Sequence, residues 1–272
     1  MSPNNYESGT ALRILITNDD GIDAPGIWSV AEALQDLGEI AVVAPDRDQS
    51  GIGTARTLLE VVRAKEVPSR LEGAVAYSIQ GTPADCVILA IETLFDETFD
   101  LVVSGINAGA NLGLDVLASG TLGAAFHGYF RSIPSIAVST ASVRDPSYDV
   151  PAKFTRDLVD AMMLDDSPQA LVYNVNTPNV TADKIEGVEL TNLGPRAFLE
   201  NVEKGEVGPR THYWIRHNKP LKGDLAEGID ILAVRNNRIS ITLLDPAFLS
   251  GGERQDWTDV ADKLSKRLNS HW

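Results

Sequence analysis

The chain is poor in cysteine, histidine, aromatics and positive charge, and each shortage removes a class of function. One cysteine, Cys86, excludes an internal disulfide framework and agrees with a reducing compartment. With no catalytic context around it, it reads as a small buried hydrophobe. The four histidines, His127, His212, His217 and His271, form no HExxH and accompany no GxSxG elbow, so zinc-protease and serine-hydrolase chemistry lack support. His127 lies in an apolar helical stretch and reads as an interior side chain. With 23 Lys+Arg against 38 Asp+Glu, the formal charge is −15, which argues against a nucleic-acid polymer or an anionic membrane as partner. The surplus is spread along the chain, as an ordinary acidic surface or a high-salt adaptation would spread it. A phosphorylated substrate entering that field needs help from a metal ion. No apolar run approaches the roughly 20 residues of a spanning helix, and MSPNNYESGT lacks a basic start and an apolar signal core, so a cytoplasmic protein is expected. Neither GxxxxGK[ST] nor a GxGxxG between the first strand and helix occurs, which removes the P-loop and the dinucleotide fingerprint.

What is present is ordinary globular material: 43% hydrophobic and 22% charged residues over 272 positions, enough for one large α/β domain. Residues 1–10 read as a loose leader. LRILIT, a turn, IWSVAEALQDLG and EIAVVAP form a strand, a helix with apolar residues at helical spacing, and a second strand, the succession of a parallel β-α-β crossover. The alternation continues through TPADCVILAIETLF (helix), DLVVSG (strand), GTLGAAFHGYFR (helix), SIPSIAVST (strand), PAKFTRDLVDAMML (helix) and QALVYNVNTP (strand). Five apolar strands separated mostly by helices predict a doubly wound, mainly parallel sheet in a three-layer αβα arrangement. TLLEVVRA and AVAYSIQG read as a β excursion after the second strand. After about Pro178 the character changes: KIEGVELTNLG, RTHYWIRHN, IDILAVRNN and RISITLLDP read as strands, and WTDVADKLSKRLN as a closing amphipathic helix. The expected organisation is a leader at 1–10, a catalytic core at 11–180, and a strand-rich extension at 181–272 that belongs to the same domain and to an oligomer interface.

In an open α/β sheet, ligands gather beyond the carboxyl ends of the strands. Three polar loops fall there: TNDDG after the first strand, PDRDQSGIG after the second, and SGINAGANLG after DLVVSG. Asp19 and Asp20 offer hard carboxylate oxygens of the kind Mg²⁺ or Mn²⁺ prefers, with Ser50 and Asn107 as neutral oxygen donors. Such a set leaves positions for water and a phosphate oxygen, as a hydrolytic metal site requires. Taken alone, Asp-Asp-Gly after a strand is more often turn or capping chemistry than a metal site, and it is the convergence of the three loops that favours the metal. Glycines at 51 and 53 beside Ser50 and Thr54 allow backbone N–H groups to face an anion, although a plain turn reads the same way. Ser119, Gly120 and Thr121 stand at the start of a predicted helix, whose N-terminus suits phosphate; Ser119 as a simple N-cap is the companion reading. Asn174 and Asn176, ending a strand, read as turn-shaping.

Together the ordered motifs TNDDG, DRxxSGxG, GTPADC, SGxNxGxNxGxD and SGTxxAA resemble the SurE (stationary-phase survival protein) family of nucleotidases, over about Leu12 to Pro178. The resemblance implies a Rossmann-like core with a C-terminal extension used in oligomer contacts, and divalent-metal-dependent removal of phosphate from nucleoside 5′-monophosphates and 3′-monophosphates. It implies one Mn²⁺ or Mg²⁺ per subunit on Asp19, Asp20, Ser50 and Asn107; since the motifs hold no histidine, Asp19 or Asp20 is the expected proton acceptor. Asn111 and the Ser119-Gly120-Thr121 segment are implied near the substrate phosphate, and Gly51 of the glycine pair is expected to join them. A homodimer or homotetramer is the expected assembly. One departure stands out: many members carry a basic residue after the metal-binding asparagine, where this chain has Ala108, which bears on substrate preference. The alternatives are an exopolyphosphatase and a non-catalytic nucleotide-binding module.

Overall fold

The computed structural model describes residues 11–163, 171–196, 198–207, 210–220, 225–246, 263–264 and 266–269. The leader at 1–10 lies outside them, as does the first part of the predicted closing helix. Strands β1 (Leu12–Thr17) and β2 (Gly38–Pro45) flank helix α1 (Pro25–Leu34), which begins with proline at its first position, where the missing N–H has no intrahelical partner to lose. There follow β3 (Arg63–Val67), β4 (Val75–Gln80), α2 (Pro83–Leu89), β5 (Leu101–Ala108), α3 (Gly120–Tyr129), β6 (Ser135–Thr140), α4 (Asp149–Met162) and β7 (Val172–Thr177). The C-terminal part adds β8 (Val188–Thr191), β9 (Phe198–Val207), β10 (Arg210–Pro220), α5 (Asp230–Arg235) and β11 (Ile239–Leu244).

Nine strands form one sheet in the order β3-β4-β2-β1-β5-β6-β7-β11-β8, and β9 pairs with β10 as a separate antiparallel hairpin. The run β4-β2-β1-β5-β6-β7 is parallel throughout. β3 and β11 join it antiparallel, and β8 lies parallel to β11. The period of two along β1 explains the layers: Ile14 and Ile16 face a core with α1 and α4, while Leu15 faces the opposite core with Cys86 and Val87 of α2 and Ala124 of α3. Helices therefore cover both faces. The chain leaves β1 toward β2 on one side and later crosses to β5 on the other, so the topological switch point lies between β1 and β5.

Two expectations need correction. IDILAVRNN is mainly the short helix α5, not a strand; six apolar-rich residues do not separate the two by period, and the decisive feature is buried Asp230 at the first turn. TLLEVVRA is not extended over its length: β3 starts only at Arg63, because Leu59 takes φ +65° and Thr57 is held by Asp85. Strand β9 was not foreseen. Of the predicted C-terminal helix, Leu264 and Leu268 pack into the α1/α4 core, and the Asn269 side chain bonds both backbone groups of Val188.

Candidate active site

Asp19 and Asp20 emerge immediately after β1, and Asn107 stands near the end of β5, one on each side of the switch point. The turn carrying the aspartates is fixed by Asn18, whose side chain accepts from Gly21 N at 3.1 Å and donates to Gly21 O at 2.9 Å. The β2 loop docks on it through Gln49 N–H to Asp19 O at 2.8 Å and Ile22 N–H to Pro45 O at 2.8 Å. The β5 loop docks through Ala108 N–H, which donates to Asp20 Oδ2 at 3.2 Å.

Asn107 owes its position to an irregularity in β5. The β5/β6 register shifts between Ser104 and Asn107, and a bulge of this kind re-aims the following side chain. Gly105 sits there at φ +142°, where a Cβ would lie 2.4 Å from Val138 O, so no other residue fits. The Asn107 amide nitrogen donates to Gly109 O at 2.6 Å, which turns its oxygen away from that carbonyl.

Helix α3 closes the far side. Ser119 is its N-cap, accepting from Leu122 N at 3.2 Å. The Thr121 hydroxyl donates to Asp19 Oδ1 at 2.7 Å, and the Thr121 backbone also faces that carboxylate, a favourable setting for an anion at the positive end of a helix. Gly120 is pressed against Asp19: a Cβ there would meet Asp19 Cβ at 2.8 Å and Oδ2 at 3.0 Å. Loop 51–53 is tied to the same end through Gly53 N–H to Ala118 O at 2.9 Å.

Asn111, itself half-buried, is the centre of a polar network whose other members are buried. Its amide nitrogen donates to Thr121 Oγ1 at 3.3 Å and Ser139 Oγ at 2.9 Å. Its backbone N–H donates to Asn176 Oδ1 at 2.8 Å, and its carbonyl accepts from Asn174 and Asn176, each at 3.0 Å. Asn174, Asn176 and Ser139 are completely buried. The two asparagines read from sequence as turn-shaping thus hold a site loop from β7; buried amides at the carboxyl end of that strand were the available signal.

Asp19, Asp20, Asn107, Asn111, Ser119, Gly120 and Thr121 are therefore linked into one constellation. Ser50 and Gly51 lie beside it on an exposed loop. The Ser50 hydroxyl turns to Asp48 Oδ1 at 2.6 Å, and Gly51 has φ +77° with open space at its Cβ position. Asp230 is a further contributor that sequence reasoning missed: fully buried, it accepts from Gly113 N at 2.6 Å, Gly194 N at 2.9 Å and Ile231 N at 2.8 Å. His127 is buried in α3, where burial, and then Arg131 and Arg56, lower its pKa. Burial pushes the Cys86 thiol well above its usual range, consistent with an unreactive core residue.

The electrostatics are those of an acidic pair without a positive partner among the described residues. Burial, more than any neighbour, raises the Asp19 carboxyl above its usual range. Burial first, and then the Asp19 charge, raise Asp20 to about 6. Among the described residues no group of three or more His, Cys, Asp or Glu side chains is suited to a metal. The available donors are two carboxylates with neutral hydroxyl and amide oxygens. This set fits a hard divalent cation, which would supply the missing positive charge.

Fold and site define a doubly wound α/β protein with an acidic, oxygen-rich centre at its topological switch point. The sequence profile described as Survival protein SurE matches residues 14–200. Two relatives named 5′-nucleotidase SurE, from Dehalococcoides mccartyi strain CBDB1 and Vibrio parahaemolyticus, are 41% and 42% identical over 86% of this chain and 88% of their own lengths. A solved structure described as the Sure protein from Aquifex aeolicus superposes with a TM-score of 0.72 at 35% identity, covering 88% of this chain and 99% of that one. The chain belongs to the SurE family.

Proposed function

We propose that the protein is a divalent-metal-dependent phosphomonoesterase that hydrolyses nucleoside 5′-monophosphates, and 3′-monophosphates as a second substrate class, to nucleoside and phosphate. The relatives' name, 5′-nucleotidase, supports the reaction. The observation that carries the metal is the adjacent carboxylate pair of buried Asp19 and half-buried Asp20, both with raised pKa, beside neutral oxygen donors. We assign Asp19, Asp20, Ser50 and Asn107 to one Mn²⁺ or Mg²⁺ per subunit. When bound, such an ion polarises the phosphoryl oxygen and makes water nucleophilic near neutral pH. Of the pair we assign proton transfer to Asp20, because Asp19 is engaged by Thr121 while Asp20 stays partly open to solvent. Gly51 and the Ser119-Gly120-Thr121 turn flank the phosphate, where the first turn of α3 favours negative charge. Residues 11–180 carry the chemistry, in a cytoplasmic homodimer or homotetramer that uses the C-terminal extension as its interface.

Two observations weigh against the rivals. A polyphosphate substrate lacks a basic side chain at Ala108, and a non-catalytic binder would have lost at least one of the four oxygen donors. The test is phosphate release from 5′-AMP, 5′-GMP and 3′-AMP with Mn²⁺ or Mg²⁺. Exhaustive chelation and Asp19→Ala should each abolish it. Full activity in both cases overturns the proposal.

A further inference from the structure

The polarity of Asn111 points to a role other than phosphate binding. Thr121 directs its hydroxyl hydrogen to Asp19 Oδ1, so its oxygen meets Asn111 as an acceptor. That order fixes which end of the Asn111 amide faces Thr121: it must be the nitrogen. The second amide hydrogen goes to Ser139 Oγ. The backbone N–H and C=O are engaged by Asn176 and Asn174. Every donor of Asn111 therefore has a partner within the protein. Its Oδ1 has none among the described residues, and it is absent from the buried atoms lacking one, so it faces solvent. A phosphate dianion carries no hydrogen to give this oxygen; a water molecule does.

We propose that Asn111 is a catalytic residue that accepts a hydrogen bond from the attacking water, and that Ser139, Asn174 and Asn176 are positioning residues that hold its acceptor end toward the site. The inference rests on the nucleotidase reading above. Only the Thr121 hydroxyl separates the Asn111 amide nitrogen from the Asp19 carboxylate, and the attacking water is assigned to the space between the amide oxygen and the acidic pair. A water there directs one hydrogen to a carboxylate and the other to Asn111, which aims its lone pair at phosphorus. The water oxygen forms the new P–O bond. The ester P–O bond breaks with its electron pair on the nucleoside oxygen. One water proton passes through the carboxylate to that oxygen, and the other stays on the released phosphate.

The test compares wild type with Asn111→Ala, using 5′-AMP with Mn²⁺ and inorganic phosphate as product inhibitor. The expected result is a fall in kcat of about 30-fold or more, with KM and the phosphate inhibition constant within about threefold of wild type. A parallel rise of KM and inhibition constant with kcat preserved would assign Asn111 to phosphate, and an unchanged kcat would leave it without a role; either overturns the proposal. With 2′,3′-dideoxyadenosine 5′-monophosphate the same fall in kcat is expected, and its disappearance would transfer the hydrogen bond to a sugar hydroxyl and refute the water. Should Asn111→Ala not fold, Ser139→Ala frees one amide hydrogen; kcat should drop about threefold to tenfold and recover in Ser139→Thr, and no change refutes the positioning. Side-chain amide exchange read by NMR needs no turnover. Slow exchange of the Asn111 amide hydrogens, unaltered by phosphate, is expected, and fast exchange or a large phosphate-induced shift overturns the assigned polarity even if no nucleotide is hydrolysed.

Discussion

Replacing Asp20 with asparagine should make the metal-free protein more stable while destroying its activity. In the folded protein Asp20 is raised from 3.8 to about 6 by burial and by the Asp19 charge. Well above pH 6 this displacement corresponds to a penalty of ~3 kcal/mol on the folded state. Asp20 is partly exposed, so screening reduces that figure, and an amide oxygen accepts the Ala108 N–H less strongly than a carboxylate does. A net gain of about 1–2 kcal/mol for D20N at pH 8 is the expected balance, or a few degrees in Tm for a chain of this size. The sign follows from a folded-state pKa above the unfolded one: the penalty is complete above pH 6, shrinks as pH falls through 6, and vanishes below the unfolded value near 4.

The assay is thermal or urea unfolding of both proteins in excess chelator at pH 8, 5 and 4, repeated at pH 8 with Mn²⁺. The advantage of D20N should be largest at pH 8 and lost by pH 4. Saturating Mn²⁺ should reverse the order, since a ligand at 100 times its Kd adds about 2.7 kcal/mol to the wild type and finds a weakened site in the variant. If D20N is less stable than wild type at pH 8 in chelator, or gains as much from Mn²⁺, the account of an acidic pair awaiting a cation is refuted.

Three further substitutions test how the site is held. Asp230→Ala leaves the N–H groups of Gly113 and Gly194 without their buried acceptor and should cost about 3–5 kcal/mol, with a parallel loss of phosphatase activity; an unchanged urea midpoint would refute the clamp. Gly120→Ala should lower activity by tenfold or more and destabilise by about 1–2 kcal/mol, because its Cβ would meet Asp19 and Ile52 at 2.8–3.1 Å and overpacking outweighs the better helix propensity. A gain in stability, as propensity alone predicts, would show the contact to be soft. Asp85→Ala removes the acceptor shared by Thr57 N–H, the Thr57 hydroxyl and Thr82 N–H, including half of a capping box, and should cost about 2–4 kcal/mol in unfolding experiments; Asp85→Asn should recover part of it.

The parallel core was legible because each of its strands is an apolar run ended by a turn, and the helices between them carry a 3.6-residue period or a capping signature. TPADC is an example: Thr82 caps α2, Pro83 opens it and Asp85 completes the box, all from local sequence. The candidate loops were legible for a topological reason, since parallel strands must send their carboxyl ends to one edge. What could not be read was whatever depends on distant partners. Residues 229–237 have the apolar alternation of a strand, and only the buried bonds from Asp230 to Gly113 and Gly194 decide for a helical turn. Leu58 and Leu59 have strand propensity, yet they lie exposed on a segment whose path is set by Thr57 meeting Asp85, 28 residues on. Asn174 and Asn176 looked local because their partner, Asn111, lies more than 60 residues away.

The same long-range bonds explain why a strand-rich extension accompanies the catalytic core. The loop from Gly109 to Ala118 bears Asn111 and leads into α3, so its placement fixes two sides of the site. Leu112 packs against Ile229, Ile231 and Val234, and Val116 against Leu122, Ala125 and Ala137, while Leu114 and Leu117 are exposed. Polar bonds reaching in from later sequence add to that hold and fix its orientation. Asn174 and Asn176 grip Asn111, Asp230 takes Gly113 N–H, and Arg196 pairs with Asp115 at 2.9 Å. Asp230 also fastens Gly194, and β8 and β11 bring these anchors into register by joining the main sheet. A core ending after β7 would keep the acidic pair and Asn107 but lose the Asp230 and Arg196 contacts. Hence the substitution at Asp230, far in sequence from every candidate ligand, should damage catalysis through the loop it secures and leave the Asp19 and Asp20 carboxylates chemically intact.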